Sequence, residues 1–180
     1  AELEDREREG AYHRIGFPGA DGALIFIETT RPELLPACVA LVAHPDDERY
    51  SSLVGTTVRT PVFDVEVPVV AHRLADPEKG SGIAMICTFG DTTDVTWWRE
   101  LSLPTRPIVG WDGRILRDTP DWIESAAGRE LYASLAGATP FTANERIVTA
   151  LREAGFVGGE PRKIVHPVKF YERGERPLEI

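Results

Sequence analysis

The chain has 180 residues, 42% hydrophobic and 27% charged, a length and composition that suit one globular domain with a substantial core. No apolar run approaches the ~18 residues of a membrane span. The net charge of −9 disfavours non-specific nucleic-acid binding by the whole surface, although it permits a local contact.

The residues 1–10 are charged rather than apolar, so they read as a connector and not as a signal peptide. The first strand signal is the apolar run Leu24 to Ile27, ahead of Thr29 and Thr30. Cys38 to Ala43 (CVALVA) is a second, rich in Val. Val62 to Val70 alternates at Val65 and Val67 and is broken by Pro68. Ile83 to Cys87 follows Gly80 and Gly82, and Pro107 to Val109 leads to a turn at Gly113. Three helices are expected. Asp91 to Leu101 places Val95, Trp98 and Leu101 on one side. Gly128 to Ala136 is the second. Thr142 to Glu145 matches a capping box, with Ile147, Leu151 and Ala154 recurring at helical spacing up to Gly155. Short strands spaced by Gly and Pro, with few helices, predict an α+β fold: a barrel-like, mostly antiparallel core with peripheral helices.

Two stretches carry candidate chemistry. Thr29-Thr30-Arg31-Pro32-Glu33 reads as a strand-to-turn junction whose hydroxyls and N–H groups face a ligand, with Arg31 able to hold a phosphate or carboxylate through its planar fork. A plain structural turn gives the same pattern. The run from Gly80 to Asp94 passes from a glycine turn through a strand to two carboxylates, Asp91 and Asp94, on one face of a helix start. They read either as a helix cap or as a pair that holds an ammonium group and orients a water. Trp97 and Trp98 follow and cannot share a helix face, so one is expected in the core and the other at a pocket wall or over the sheet.

Other chemistries lack their signals. The four histidines form no close pair, which argues against a metal site. No Ser stands in a nucleophile elbow, and no glycine-rich phosphate loop is present, so neither a nucleotide cofactor nor ATP binding is expected. The two cysteines, Cys38 and Cys87, make no disulfide framework, and a reducing, cytoplasmic compartment is the easier reading.

Taken together, these motifs resemble the inserted editing domain of class I aminoacyl-tRNA synthetases. The Thr29–Glu33 run is similar to that family's threonine-rich segment. The stretches His44 to Tyr50 (HPDDERY), Val67 to Ala71, Gly80 to Asp94, His166 to Tyr171 and Arg176 to Ile180 are most similar to the valyl branch. The resemblance divides the chain into a connector (1–10), the editing domain (11–171) and an exit segment toward a catalytic core (172–180), and it fits a piece cut from a longer chain. It implies hydrolysis of a mischarged aminoacyl ester at the 3′ end of tRNA(Val), with Asp94 on the substrate's α-ammonium. Asp91 is the second catalytic candidate; Thr29, Thr30, Arg31 and Trp97 are candidates for substrate binding. The remainder of the parent synthetase is the other implied partner. An isoleucyl-type editing domain and a non-catalytic RNA-binding module are the rival readings. The chain departs from the family pattern at Leu34, Met85 and Cys87, where Thr, Lys and Thr are usual, and at Thr88-Phe89-Gly90, where Pro-Ala-His is usual.

Overall fold

The computed structural model describes residues 10–87 and 99–163. The connector apart from Gly10, the exit segment, and the segment with Asp91, Asp94, Trp97 and Trp98, where a helix start is expected, lie outside those residues.

The described strands form two sheets. In the first, β1 (Ala11–Pro18) lies between β2 (Leu24–Thr29) and the short β7 (Arg162–Lys163), antiparallel to both. In the second the order is β4 (Thr57–Arg59), β5 (Glu66–Ala71), β3 (Cys38–Ala43), β6 (Ile83–Cys87). Its pairings are antiparallel except β3–β5, which is parallel. An antiparallel bridge between Gly19 and Val58 links the sheets at one place, and β2 runs beside β6 at another. The α+β, mostly antiparallel expectation therefore holds. The core is barrel-like in outline, but the described strands close no continuous ladder.

Strand β3 explains itself from its sequence. All six residues are buried because the strand is covered on both faces. Cys38, Leu41 and Ala43 join the main core with Ile15, Phe17 and Ile27, whereas Val39, Ala40 and Val42 pack with Ala75, Ile86 and Leu103. A strand buried on both faces needs a continuous apolar run, and CVALVA is one.

Two expected strands and the starts of two expected helices change. The residues 62–65 belong to a tight turn, in which Val62 and Asp64 adopt positive φ and Phe63 is fully buried. The strand begins only at Glu66. Pro68 is tolerated inside it because the Val69 N–H donates to Thr56 O on the β4 side. Position 68 therefore faces β3, where the parallel ladder starts only at Val69. Pro107 to Val109 contributes a single bridge, Val109 to Ile115, rather than a strand.

Helix α1 (Ala126–Leu135) begins two residues before the expected Gly128, capped by Ser125, whose Oγ accepts from Gly128 N. Helix α2 (Pro140–Glu153) begins at Pro140, with Thr139 as N-cap accepting from Thr142 N. Thr142 is thus a first-turn residue and not the cap. The buried stripe of α2 is Ala143, Ile147 and Leu151. A six-residue 3-10 turn, η1 (Pro32–Ala37), joins β2 to β3 and packs against α2.

Candidate functional site

A cleft of about 380 Å³ opens where β2 ends and β6 begins. Its geometry follows from the sheet. Ala43 pairs with both Ala71 and Ile83, so the chain leaving β3, the chain leaving β5 and the chain entering β6 meet at one end of the second sheet.

One wall is the threonine-rich turn. Thr29, Thr30 and Arg31 all line the cleft. Thr29 Oγ1 accepts the Arg31 N–H at 3.0 Å, the side chain imitating a backbone turn. Arg31 Nε lies 3.4 Å from Glu33 Oε2, and the buried Glu33 accepts from Asn144 Nδ2 through its other oxygen at 2.9 Å. Helix α2 thereby holds the turn. Of the candidate residues, the structure brings these three together. It also shows two that sequence reasoning missed, Glu33 and Asn144.

The opposite wall is the glycine loop with strand β6. Lys79, Gly80 and Gly82 line the cleft, followed by Met85 and Cys87. Gly82 has φ +85, and an added Cβ there would stand 2.3 Å from Arg49 Nη2 and 2.8 Å from Pro77 O. Both the backbone conformation and the space require glycine. Cys87 is buried and its Sγ donates to Leu34 O at 3.4 Å. Leu34 lines the cleft as well. The departures from the family pattern at Leu34, Met85 and Cys87 therefore all fall in this one cavity and make its floor more apolar.

At the rim, Glu28 meets Arg162 Nη2 at 2.5 Å and Arg14 Nη1 at 3.6 Å, and the Arg162 guanidinium lies 4.5 Å from the centre of the Tyr12 ring. Beyond the rim, His72 Nδ1 accepts the Leu74 N–H and Nε2 faces Glu100 Oε1 at 2.5 Å, which ties the start of the 72–76 segment to residue 100. The imidazole and Arg73 hold the Glu100 carboxyl below the usual carboxylate range. Among the described residues no group of His, Cys, Asp and Glu could hold a metal ion, and no helix is long and apolar enough to cross a membrane. Asp91 and Asp94 follow Cys87 in sequence, on the chain that leaves the β6 wall.

No family model matches the chain. Over all 180 residues it is 72% identical to the valine--tRNA ligase of Thermobifida fusca, covering 20% of that protein. It is 69% identical to that of Leifsonia xyli subsp. xyli and 61% identical to that of Cutibacterium acnes, covering 21% of each. The chain thus spans about a fifth of the length of these relatives. A solved ternary complex of Agrobacterium radiobacter K84 agnB2 LeuRS with tRNA and LeuAMS matches 89% of the chain and 21% of its own, with a TM-score of 0.56 at 18% identity. Over its whole length the chain is similar to one part of aminoacyl-tRNA synthetases, and it shares its fold with a part of the LeuRS structure. Within that class its similarity is to the valine--tRNA ligases.

Proposed function

We propose that the chain hydrolyses the ester of threonyl-tRNA(Val), the post-transfer editing step of a valyl-tRNA synthetase. The observation that carries this reading is the cleft: it joins the threonine-rich turn to the glycine loop and to the strand that leads to Asp91 and Asp94. A hydrophobic synthetic pocket rejects an isostere bearing an extra hydroxyl by only about 10²-fold, so a valine site admits threonine and a second, hydrolytic site clears the error.

The chemistry asks little of the protein. The ester is already activated, and water attacks its carbonyl. The tetrahedral species collapses, releasing threonine and the ribose hydroxyl of the terminal nucleotide. Positioning supplies much of the acceleration. The Asp94 carboxylate takes the α-ammonium. Asp91, Thr29 and Thr30 orient the water and the substrate hydroxyl. Arg31, held through Nε by Glu33, stabilises charge as the oxyanion forms. Trp97 contributes to substrate binding. With Leu34, Met85 and Cys87 on the floor, polar selection of threonine over valine rests on Thr29, Thr30 and the two aspartates. The 3′ end of tRNA(Val) and the remainder of a parent synthetase are the partners in this reading. Its compartment is the cytoplasm. ATP is not bound by this domain.

The test is Asp94→Ala. Deacylation of threonyl-tRNA(Val) is lost while the melting transition is kept. Parent-level deacylation by the variant overturns the assignment. Loss of the folded signal instead identifies Asp94 as a helix cap, whose removal costs about 0.5–2 kcal/mol.

A further inference from the structure

The HPDDERY stretch does not line the cleft, yet it makes the most specific polar contacts of the glycine wall. Asp47 is buried at 8% exposure and receives Arg49 Nε at 2.9 Å and Arg49 Nη2 at 2.8 Å. The same Nη2 donates to Pro77 O at 2.8 Å. The neighbouring Tyr50 hydroxyl donates to Ser81 O at 2.5 Å. One end of the loop is thus tied by a guanidinium and the other by a phenol. Between the ties lie Lys79 and Gly80, which face the cleft. Gly82 packs so closely against Arg49 and Asp47 that no side chain fits between them. The two segments are brought together by the pairing of Ala43 with Ile83, since one begins just after β3 and the other ends just before β6.

We propose that Arg49 and Tyr50, with Asp47 as the anchor of Arg49, are positioning residues that set the width of the cleft and so its rate and its selectivity for threonyl over valyl ester. The proposal rests on the editing function argued above. Neither residue touches the substrate; both act through the 77–82 loop. The physical demand is geometric. A sieve made of hydrogen bonds discriminates only if its groups stand within a fraction of an ångström of the substrate hydroxyl, and a misplacement of about 1 Å costs on the order of 10²-fold in rate. A glycine-containing loop does not hold such a position by itself, because glycine adds backbone freedom. A bidentate ion pair with a third bond to a carbonyl does hold it, and a lysine in place of Arg49 lacks the planar fork to make all three contacts.

The experiment uses the full-length polypeptide with three variants, Arg49→Gln, Arg49→Lys and Tyr50→Phe. Rates of threonyl-tRNA(Val) and valyl-tRNA(Val) deacylation are measured beside hydrogen–deuterium exchange of the 77–82 segment. Faster exchange in that segment is expected in all three, with kcat for threonyl ester lowered roughly tenfold or more by Arg49→Gln. KM should change little, the threonyl-to-valyl ratio should fall, and Arg49→Lys should recover part of the loss. Tyr50→Phe removes one oxygen from a half-buried side chain, so it keeps the comparison open if Arg49→Gln leaves Asp47 unpaired and unfolds the protein. Unchanged exchange in folded Tyr50→Phe overturns the clamp. Faster exchange with parent kcat and parent selectivity overturns its role in positioning. A parent protein that hydrolyses neither ester refutes the editing function instead, and the exchange data then decide the clamp alone.

Discussion

Gly82 and Gly22 share a left-handed backbone, at φ +85 and +84, but differ in their surroundings. Nothing stands within 4 Å of a Cβ added at Gly22, whereas one at Gly82 meets Arg49, Pro77 and Asp47. Gly22→Ala should therefore cost only the left-handed penalty of about 1–2 kcal/mol. Gly82→Ala should cost clearly more, because it must also displace the guanidinium from Pro77 O. Denaturant melts of the two variants check this, and equal costs would show that Arg49 moves aside freely. At this scale the threonine-rich turn was legible, since hydroxyls beside a Pro and an Arg announce a polar junction. The support behind it was not. Asn144 reaches Glu33 from 111 residues away, and no local pattern reports such a bond. Glu33 itself read as part of the motif, not as a buried acceptor linking Arg31 to a helix.

Helix α2 shows how an element's existence is easier to read than its boundary. Ile147 and Leu151 are both fully buried, as their spacing predicts, whereas Ala154, read on the same stripe, is the exposed C-cap. The start was misplaced because Thr139 and Thr142 both offer a hydroxyl, and the Glu145 that follows Thr142 completes a capping-box pattern. Pro140 decides the matter: its fixed φ and missing N–H suit the first helical position, which makes Thr139 the cap. Thr139→Ala is expected to lower stability by about 0.5–2 kcal/mol, and Thr142→Ala by less, since its hydroxyl caps no backbone N–H among the described contacts. Thermal melts of both variants check the order; a larger loss at Thr142 would move the cap back. Strand β1 escaped notice for a different reason. Ile15, Gly16 and Phe17 are all buried, so no alternation marks it, and Gly16 leaves the space taken by Leu24 and Phe26 of β2.

For the molecule as a whole, acid should act in two separate windows. Burial first, and then Arg152, hold His13 below its ordinary value of 6.5, and its Nδ1 is buried with no hydrogen-bond partner among the described residues. The unfolded chain binds that proton more readily, so stability is complete above the ordinary imidazole range and falls as the pH drops toward the lowered value. The hydrogen bonds from Arg49 hold the Asp47 carboxyl below its usual range, and His72 does the same for Glu100. Their contribution persists above the ordinary carboxylate range and is lost as the pH falls through the lowered values. Melting temperatures measured from about pH 8 to pH 2 should show both declines. His13→Leu should remove the first and leave the second; a first decline that survives the substitution would assign it to another group. The antiparallel, barrel-like outline was readable from strand spacing, but the parallel β3–β5 pair was not, because nothing in either strand's own sequence states its direction. That pair has a kinetic corollary. Parallel neighbours cannot zip from a hairpin; the chain between them must first be closed into a loop, and loop closure precedes any reward from the contacts it makes. Residues 44–65, β4 among them, are that connection, and Asp47, Arg49 and Tyr50 lie in it. A chain emerging from synthesis therefore acquires the glycine wall of its cleft only after its central strands have found each other. Half-folded molecules in which that pair has not formed lack a finished cleft.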